Sequence, residues 1–217
     1  MSRDQWAAVD DYFVEHLVPA DEILDAALAA SAAAGLPDIQ VSPPQGRLLR
    51  LLAEIRGARS ILEIGTLGGY STICLASGMA KDGSLVTLEI DPRHADVARA
   101  NFERAGLTDM IDLRLGPALD TLPDLDGPFD LVFIDADKQH NADYFTWALR
   151  LSRPGTVIIV DNVVRGGRVI ETSGRDDIID GVRRVVELIG AEPRVTATAI
   201  QTVGGKGYDG FILATVC

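Results

Sequence analysis

Cysteine is scarce in this chain. Two in 217 residues, Cys74 and Cys217, exclude a disulfide framework and a thiolate zinc site. Cys74 sits in the apolar run Ile73–Leu75 and reads as a buried thiol rather than a redox group. Basic residues are also short: 20 Lys+Arg stand against 32 Asp+Glu, a net charge of −12. Nucleic acid and anionic membrane surfaces would meet that balance as repulsion, so neither is expected as a partner. Long apolar runs are missing too. The Ala-rich stretch 26–34 is weakly apolar and too short to span a bilayer, and no basic start leads into an apolar segment. The expectation is a soluble, cytoplasmic protein. With 47% hydrophobic and 24% charged residues, the composition is that of an ordinary globular domain rather than a disordered chain.

What is present falls into two textures. Residues 4–34 carry apolar positions at helical spacing (Trp6, Val9, Phe13, Leu17, then Ile23, Leu24, Ala27, Leu28), broken at Pro19. Ser42-Pro43-Pro44-Gln45 reads as a helix start. Ser42 is its cap and Gln45 stands where a capping box places Glu or Gln. From residue 60 short apolar runs alternate with helical segments. The runs are 60–64, 85–90, 111–115, 131–134 and 157–160, read as continuous apolar blocks covered on both faces. This alternation predicts right-handed βαβ units and an α/β fold with a doubly wound, mostly parallel sheet. A helix near 178–189 leads to strands 194–201 and 210–216. Their short Gly-rich link demands an antiparallel pair, bringing the sheet to seven strands. The expectation is one domain over 1–217, with a helical extension at 1–40 on a core at 41–217.

Ligands of such sheets sit beyond the carboxyl ends of the strands. Those ends carry Glu63-Ile64-Gly65-Thr66-Leu67-Gly68-Gly69, Glu89-Ile90-Asp91, Gly116-Pro117-Ala118, Asp135-Ala136-Asp137-Lys138 and Asp161-Asn162. A dinucleotide fingerprint needs glycine two positions after Gly65, and Leu67 stands there. Glu63 would repel a pyrophosphate but could accept from an ammonium group, and Glu89 is placed for a pair of ribose hydroxyls. The ligand these features describe is a nucleoside with a cationic substituent and no phosphate. S-adenosylmethionine fits. The competing reading gives the glycines to a tight turn alone, and a nucleotide-dependent oxidoreductase is opposed by Leu67 and Glu63.

These strings, in this order and at this approximate spacing, resemble those of the cation-dependent O-methyltransferases, the family that includes catechol and caffeoyl-CoA O-methyltransferases. The resemblance covers roughly residues 38–217 and rests on 63–71, 134–138 and 160–162. It implies a Rossmann-like methyltransferase fold and cofactor contacts at Val41, Glu63, Gly65, Thr66, Ser71, Glu89, Ala118 and Asp137. It implies metal ligands at Asp135, Asp161 and Asn162, and a general base at Lys138. Chemistry supports the metal set separately. Neighbouring parallel strands lie about 4.8 Å apart, so two carboxylates and an amide oxygen can converge on one hard cation. Mg²⁺ suits such a donor set, with Mn²⁺ or Ca²⁺ also accommodated. Against this, an isolated Asp-Asn would merely start a turn, and Lys138 on position alone would be a solvated charge. His140 is a rival base, His16 and His94 read as surface residues, and Trp147 and Tyr208 serve either a substrate pocket or plain packing.

The acceptor expected is a small catechol or polyhydroxylated aromatic. Residues 1–40 hold one basic residue, Arg3, against eight acids, a poor cradle for the phosphates of a hydroxycinnamoyl-CoA ester. Arg165, Arg168 and Arg175 keep that alternative open, as they could also hold a substrate carboxylate. A non-catalytic binding module is the remaining reading, and it leaves Asp135, Lys138, Asp161 and Asn162 together without a purpose. The apolar N-terminal helices suggest a partner subunit, and the resemblance implies a homodimer.

Overall fold

The structure, a computed structural model, describes residues 2–171 and 176–217. Arg175 lies outside the described residues. Helices α1 (Arg3–Leu17), α2 (Glu22–Ala33) and α3 (Pro43–Arg56) precede the sheet. Asp21 caps α2, accepting from the N–H groups of Ile23 and Leu24. Strands β1 (Ser60–Ile64), β2 (Ser84–Glu89), β3 (Ile111–Leu115), β4 (Phe129–Ile134) and β5 (Ser152–Asp161) alternate with α4 (Tyr70–Ser77), α5 (Pro92–Arg104), α6 (Ala118–Thr121) and α7 (Asn141–Arg150). Helix α8 (Asp177–Ala191) then leads to the hairpin β6 (Val195–Gly204) and β7 (Gly207–Val216).

The strand order is β3-β2-β1-β4-β5-β7-β6. Strands β1 to β5 pair in parallel, and β7 enters antiparallel between β5 and β6. This is the doubly wound, mostly parallel sheet that the alternation of runs predicts. Two apolar layers cover it. One joins Val132, Ile134, Phe145, Ile158, Val160 and Val182; the other joins Leu49, Ile61, Ile73, Leu131, Phe133 and Phe211. Among the described residues no helix is long and apolar enough to cross a membrane.

Two details differ from the sequence reading. Residues 111–115 are not covered on both faces: β3 is an edge strand, so Asp112 is exposed and the run Ile-Asp-Leu-Arg-Leu alternates as a half-covered strand does. Helix α2 does have something to bury against, because Ala27 is buried and Leu24 and Leu28 pack on the layer that contains Ala98 and Phe102. Helix α1, like the one-turn α6, buries no residue, in keeping with an apolar face left for a partner.

At the amino ends of the strands a single carboxylate ties three segments. Asp130 at the start of β4 accepts from the N–H groups of Arg59 and Ser60 (2.9 and 3.2 Å) and from the guanidinium of Arg56 (3.1 Å). It also accepts from Arg153 at the start of β5. Burial pushes the Asp130 carboxyl up, and these donors together hold it below the ordinary value. The base of the sheet is therefore locked, which leaves the carboxyl ends to carry the site.

Candidate active site

The ends of β1 and β2 form one half of the site. Glu63, fully buried, accepts from the hydroxyls of Ser71 (2.6 Å), Thr72 and Thr87 (2.7 Å). Desolvation raises its carboxyl to about 7, more than those three donors lower it. Glu89 accepts from four backbone N–H groups: Thr66 (3.3 Å) and Leu67 (2.7 Å) on one oxygen, Ile90 and Asp91 (2.9 Å each) on the other. A carboxylate offers about four lone-pair positions, and these four N–H groups account for them, so Glu89 holds the turn together. Thr66 bonds Thr87 through its hydroxyl (2.6 Å). Val41 packs in the layer with Tyr70 and Cys74, and Ala118 opens α6 after β3.

The turn geometry explains its glycines. Gly65 (φ 102°) approaches the Asp135 carbonyl so closely that a Cβ would lie 2.3 Å from that oxygen. Gly69 (φ 83°) faces Phe102, where a Cβ would lie 2.5 Å away. Leu67 takes φ 52°, a left-handed conformation that costs a non-glycine residue on the order of 1–2 kcal/mol. The 2.7 Å bond from its N–H to Glu89 helps to hold it there.

Strands β4 and β5 supply the other half. They run in register with Ile134 beside Val160, so the next rung sets Asp135 beside Asp161. Lys138 lies on a 3₁₀ turn (Lys138–His140) and is buried, its ammonium 2.7 Å from Asp135 Oδ1. Helix α8 clamps this turn, since a Cβ on Gly181 would lie 2.2 Å from the Lys138 carbonyl oxygen. Burial, and then the charge of Asp135, push the Asp161 carboxyl well above its ordinary value. Asn162 follows in a left-handed conformation, φ 57°. Asp137 accepts from the hydroxyl of Tyr144 and from His140 Nδ1. Partial burial raises the Asp137 carboxyl, and these two donors outweigh it to leave the group below its ordinary value.

A sequence model described as "O-methyltransferase" matches residues 14–215. The chain is 56% identical over 209 residues to a catechol O-methyltransferase from Mycobacterium tuberculosis, covering 96% of this chain and 94% of that one. It is 49% identical to a catechol O-methyltransferase from Niastella koreensis over the whole of both chains. A crystal structure of an O-methyltransferase from Bacillus cereus in complex with SAH superposes with a TM-score of 0.98 at 57% identity, covering 100% of each chain. This chain belongs to the O-methyltransferase family. Its sheet is the Rossmann-like sheet of methyltransferases.

In this O-methyltransferase the groups that could hold a divalent cation are Asp135, Asp161 and the Asn162 amide. Among the described residues no three His, Cys, Asp or Glu side chains group to hold a metal, so a cation here would need the Asn162 amide beside the two carboxylates. The set fits a hard cation: all donors are oxygen, and Asp161 is buried beside a like charge that a cation would neutralise. The cofactor contacts implied at Glu63, Gly65, Thr66, Ser71 and Glu89 fall in one turn and its support. Asp137 lies across the β1–β4 boundary from that turn.

Several placements correct the sequence reading. His94 is no distant surface residue: its Nδ1 lies 3.5 Å from Glu89 Oε1. The capping box at α3 is half formed, for the Ser42 hydroxyl accepts from the Gln45 N–H (3.4 Å) while the Gln45 side chain leaves the cap and donates to Asp161 Oδ2 (2.7 Å). Lys138 is buried and paired rather than solvated. Arg165 and Arg168 are taken up by Asp209 (3.7 Å) and Asp176. Trp147 and Tyr208 both pack against the core, Trp147 stacked by Arg150 and Tyr208 bonding Gln201. Gln45, Tyr144, Thr72 and His94 escaped the sequence reading of the site. Tyr144 had a signal, one face of α7 two turns after Asp137; Gln45 had none, being 116 residues from its partner.

Proposed function

We propose that this protein transfers the methyl group of S-adenosylmethionine to one hydroxyl of a catechol-like or polyhydroxylated aromatic molecule, with a divalent cation, Mg²⁺ first, at Asp135, Asp161 and Asn162. The observation that carries this is the pairing of Asp135 with Asp161 at adjacent strand ends, with the Lys138 ammonium 2.7 Å from Asp135. SAH, the demethylated form of the donor, is bound by the Bacillus cereus relative, and two relatives are named catechol O-methyltransferases.

When bound, the cation supplies Lewis acidity that lowers the pKa of the acceptor hydroxyl. The chain's own residues do the rest. The Glu89 carboxylate fixes the 65–67 turn, and would meet the ribose hydroxyls by sharing the oxygens that its backbone donors already occupy. Asp137, whose carboxyl is held below its ordinary value, places negative charge beside a sulfonium donor, and Glu63 offers carboxyl oxygens on the other side. Lys138 Nζ is the group placed to take the acceptor proton as the oxyanion forms. Replacement of Lys138 by Ala is expected to lower kcat at least 100-fold with S-adenosylmethionine affinity intact; full kcat in the variant would remove Lys138 from that role.

A free acceptor is favoured over a CoA ester because Arg165 and Arg168 already answer Asp209 and Asp176 and the N-terminal segment is acidic. The test is transfer of labelled methyl from S-adenosylmethionine to catechol, caffeate and caffeoyl-CoA, with Mg²⁺ and with chelator. Catechol and caffeate should be labelled only with Mg²⁺. Chelator-insensitive transfer would sink the cation, and equal turnover of caffeoyl-CoA would sink the acceptor. We also propose a cytoplasmic homodimer. Both cysteines are free thiols, and helix α1, which buries no residue, exposes Val9, Tyr12, Phe13 and Leu17 beside the exposed Ile200 and Val203 of β6.

A further inference from the structure

Gln45 is the one sequence motif whose side chain does something other than its motif requires. As the third residue of α3 it should fold back on the Ser42 N–H; its Nε2 reaches across to Asp161 Oδ2 at 2.7 Å. The other Asp161 oxygen accepts from the N–H of Asn162 at 2.8 Å. Each oxygen is thus held by one donor and keeps a lone pair free. One donor is local backbone and cannot set the plane of the carboxylate alone. The second comes from a helix that is itself fixed: Gly46, the next residue, packs so tightly on α4 that a Cβ would lie 2.9 Å from Cys74 Sγ. Gln45 therefore brings the position of a rigid helix to bear on a buried carboxylate. It is neutral, so it orients Asp161 without competing for the negative charge that Asp135 and Asp161 hold together.

We propose that Gln45 is a positioning residue that fixes the Asp161 carboxylate in the orientation in which it meets the divalent cation. The proposal rests on the cation reading above and names a residue that supports it from outside the ligand set. Partners of metal ligands typically change affinity by about 10–100-fold when removed.

The test uses Mn²⁺ as the probe, followed by loss of the free-ion EPR signal on titration into the full-length protein. Wild type is compared with Gln45→Met, which keeps the length of the side chain and removes the donor, and with Gln45→Ala. The expected result is a Kd for Mn²⁺ about tenfold weaker in both variants. SAH affinity should stay within twofold and Tm in chelator should be unchanged. The Mn²⁺ concentration for half-maximal activity should rise in step, with kcat at saturating Mn²⁺ within about threefold of wild type. Mn²⁺ affinity equal to wild type in both variants would overturn the proposal and leave the cation reading standing. So would a fall in Tm and kcat with Mn²⁺ affinity unmoved, the signature of a plain tie between α3 and β5. No saturable Mn²⁺ binding by wild type would overturn the cation reading itself, and the role of Gln45 with it.

Discussion

Glu63 is fully buried among three hydroxyl donors, and its carboxyl lies far from its usual value. Its carboxyl is raised from 4.5 to about 7, so between those values the folded chain holds a proton that the unfolded chain has lost. Folding stability then falls as pH rises through that window and levels off above pH 7, an effect of roughly 3 kcal/mol for a group so fully buried. In Glu63→Gln the side chain is neutral throughout. Urea denaturation at pH 4.5 to 7, with chelator present, should show a slope smaller by about one proton than in wild type; equal slopes would assign the titration elsewhere. Contiguous strings of this kind were readable in the sequence because one strand end displays them together. Glu63 with Ser71, Asp135 with Lys138 and Asp161 with Asn162 are all short-range sets. Gln45 was not readable as a site residue, because its partner lies 116 residues away and is set by packing between α3 and the end of β5; His94, five residues after Glu89, was within local reach and was passed over.

At the scale of elements, the division of labour between strand ends is clear. The amino ends are tied by Asp130 and its donors from 56, 59, 60 and 153, and the carboxyl ends carry the chemistry. Asp130→Ala should therefore cost stability without touching kinetics: about 2–3 kcal/mol in denaturant unfolding, with KM for S-adenosylmethionine and acceptor unchanged. The wild-type contribution of Asp130 is present above the unfolded carboxylate pKa and is lost as pH falls through the lower folded value, which an acid titration of Tm would show. The parallel strands were legible from their apolar runs. The half-covered β3 was misread as a continuous apolar block, although Asp112 and Arg114 alternate with Ile111, Leu113 and Leu115 as they do in a strand with one solvated face.

For the whole molecule, the net charge of −12 has two addresses. Part of it is gathered at strand ends, in Glu63, Glu89, Asp135, Asp137 and Asp161, and part lies on the N-terminal helices, which carry little basic charge. Helix α1 combines that charge with an uncovered apolar stripe. Phe13→Asp should yield a monomer by light scattering with its melting curve nearly unchanged, because Phe13 is exposed in the single chain. A dimer that persists in this variant would place the interface elsewhere. The α/β order and the terminal hairpin followed from periodicity and loop length. Which face of α1 would stay uncovered could not, because that depends on where β6 and α3 come to lie.

The sheet reverses its order between β1 and β4, and the seam there is narrow. Most residues expected at the methyl donor, Asp137 apart, stand on the β1–β2 side, and the groups expected at the acceptor stand mainly on the β4–β5 side. Changes more than about 10 Å apart across that boundary should add in free energy, as separated sites do. This leaves the acceptor half open to engineering, or to evolutionary drift, while donor use is retained. The exception is the place where the Asp135 carbonyl rests against Gly65, with no room for a single carbon between them. A methyl group there would shift both halves at once, which makes Gly65 the position where donor use and acceptor choice stop being independent traits.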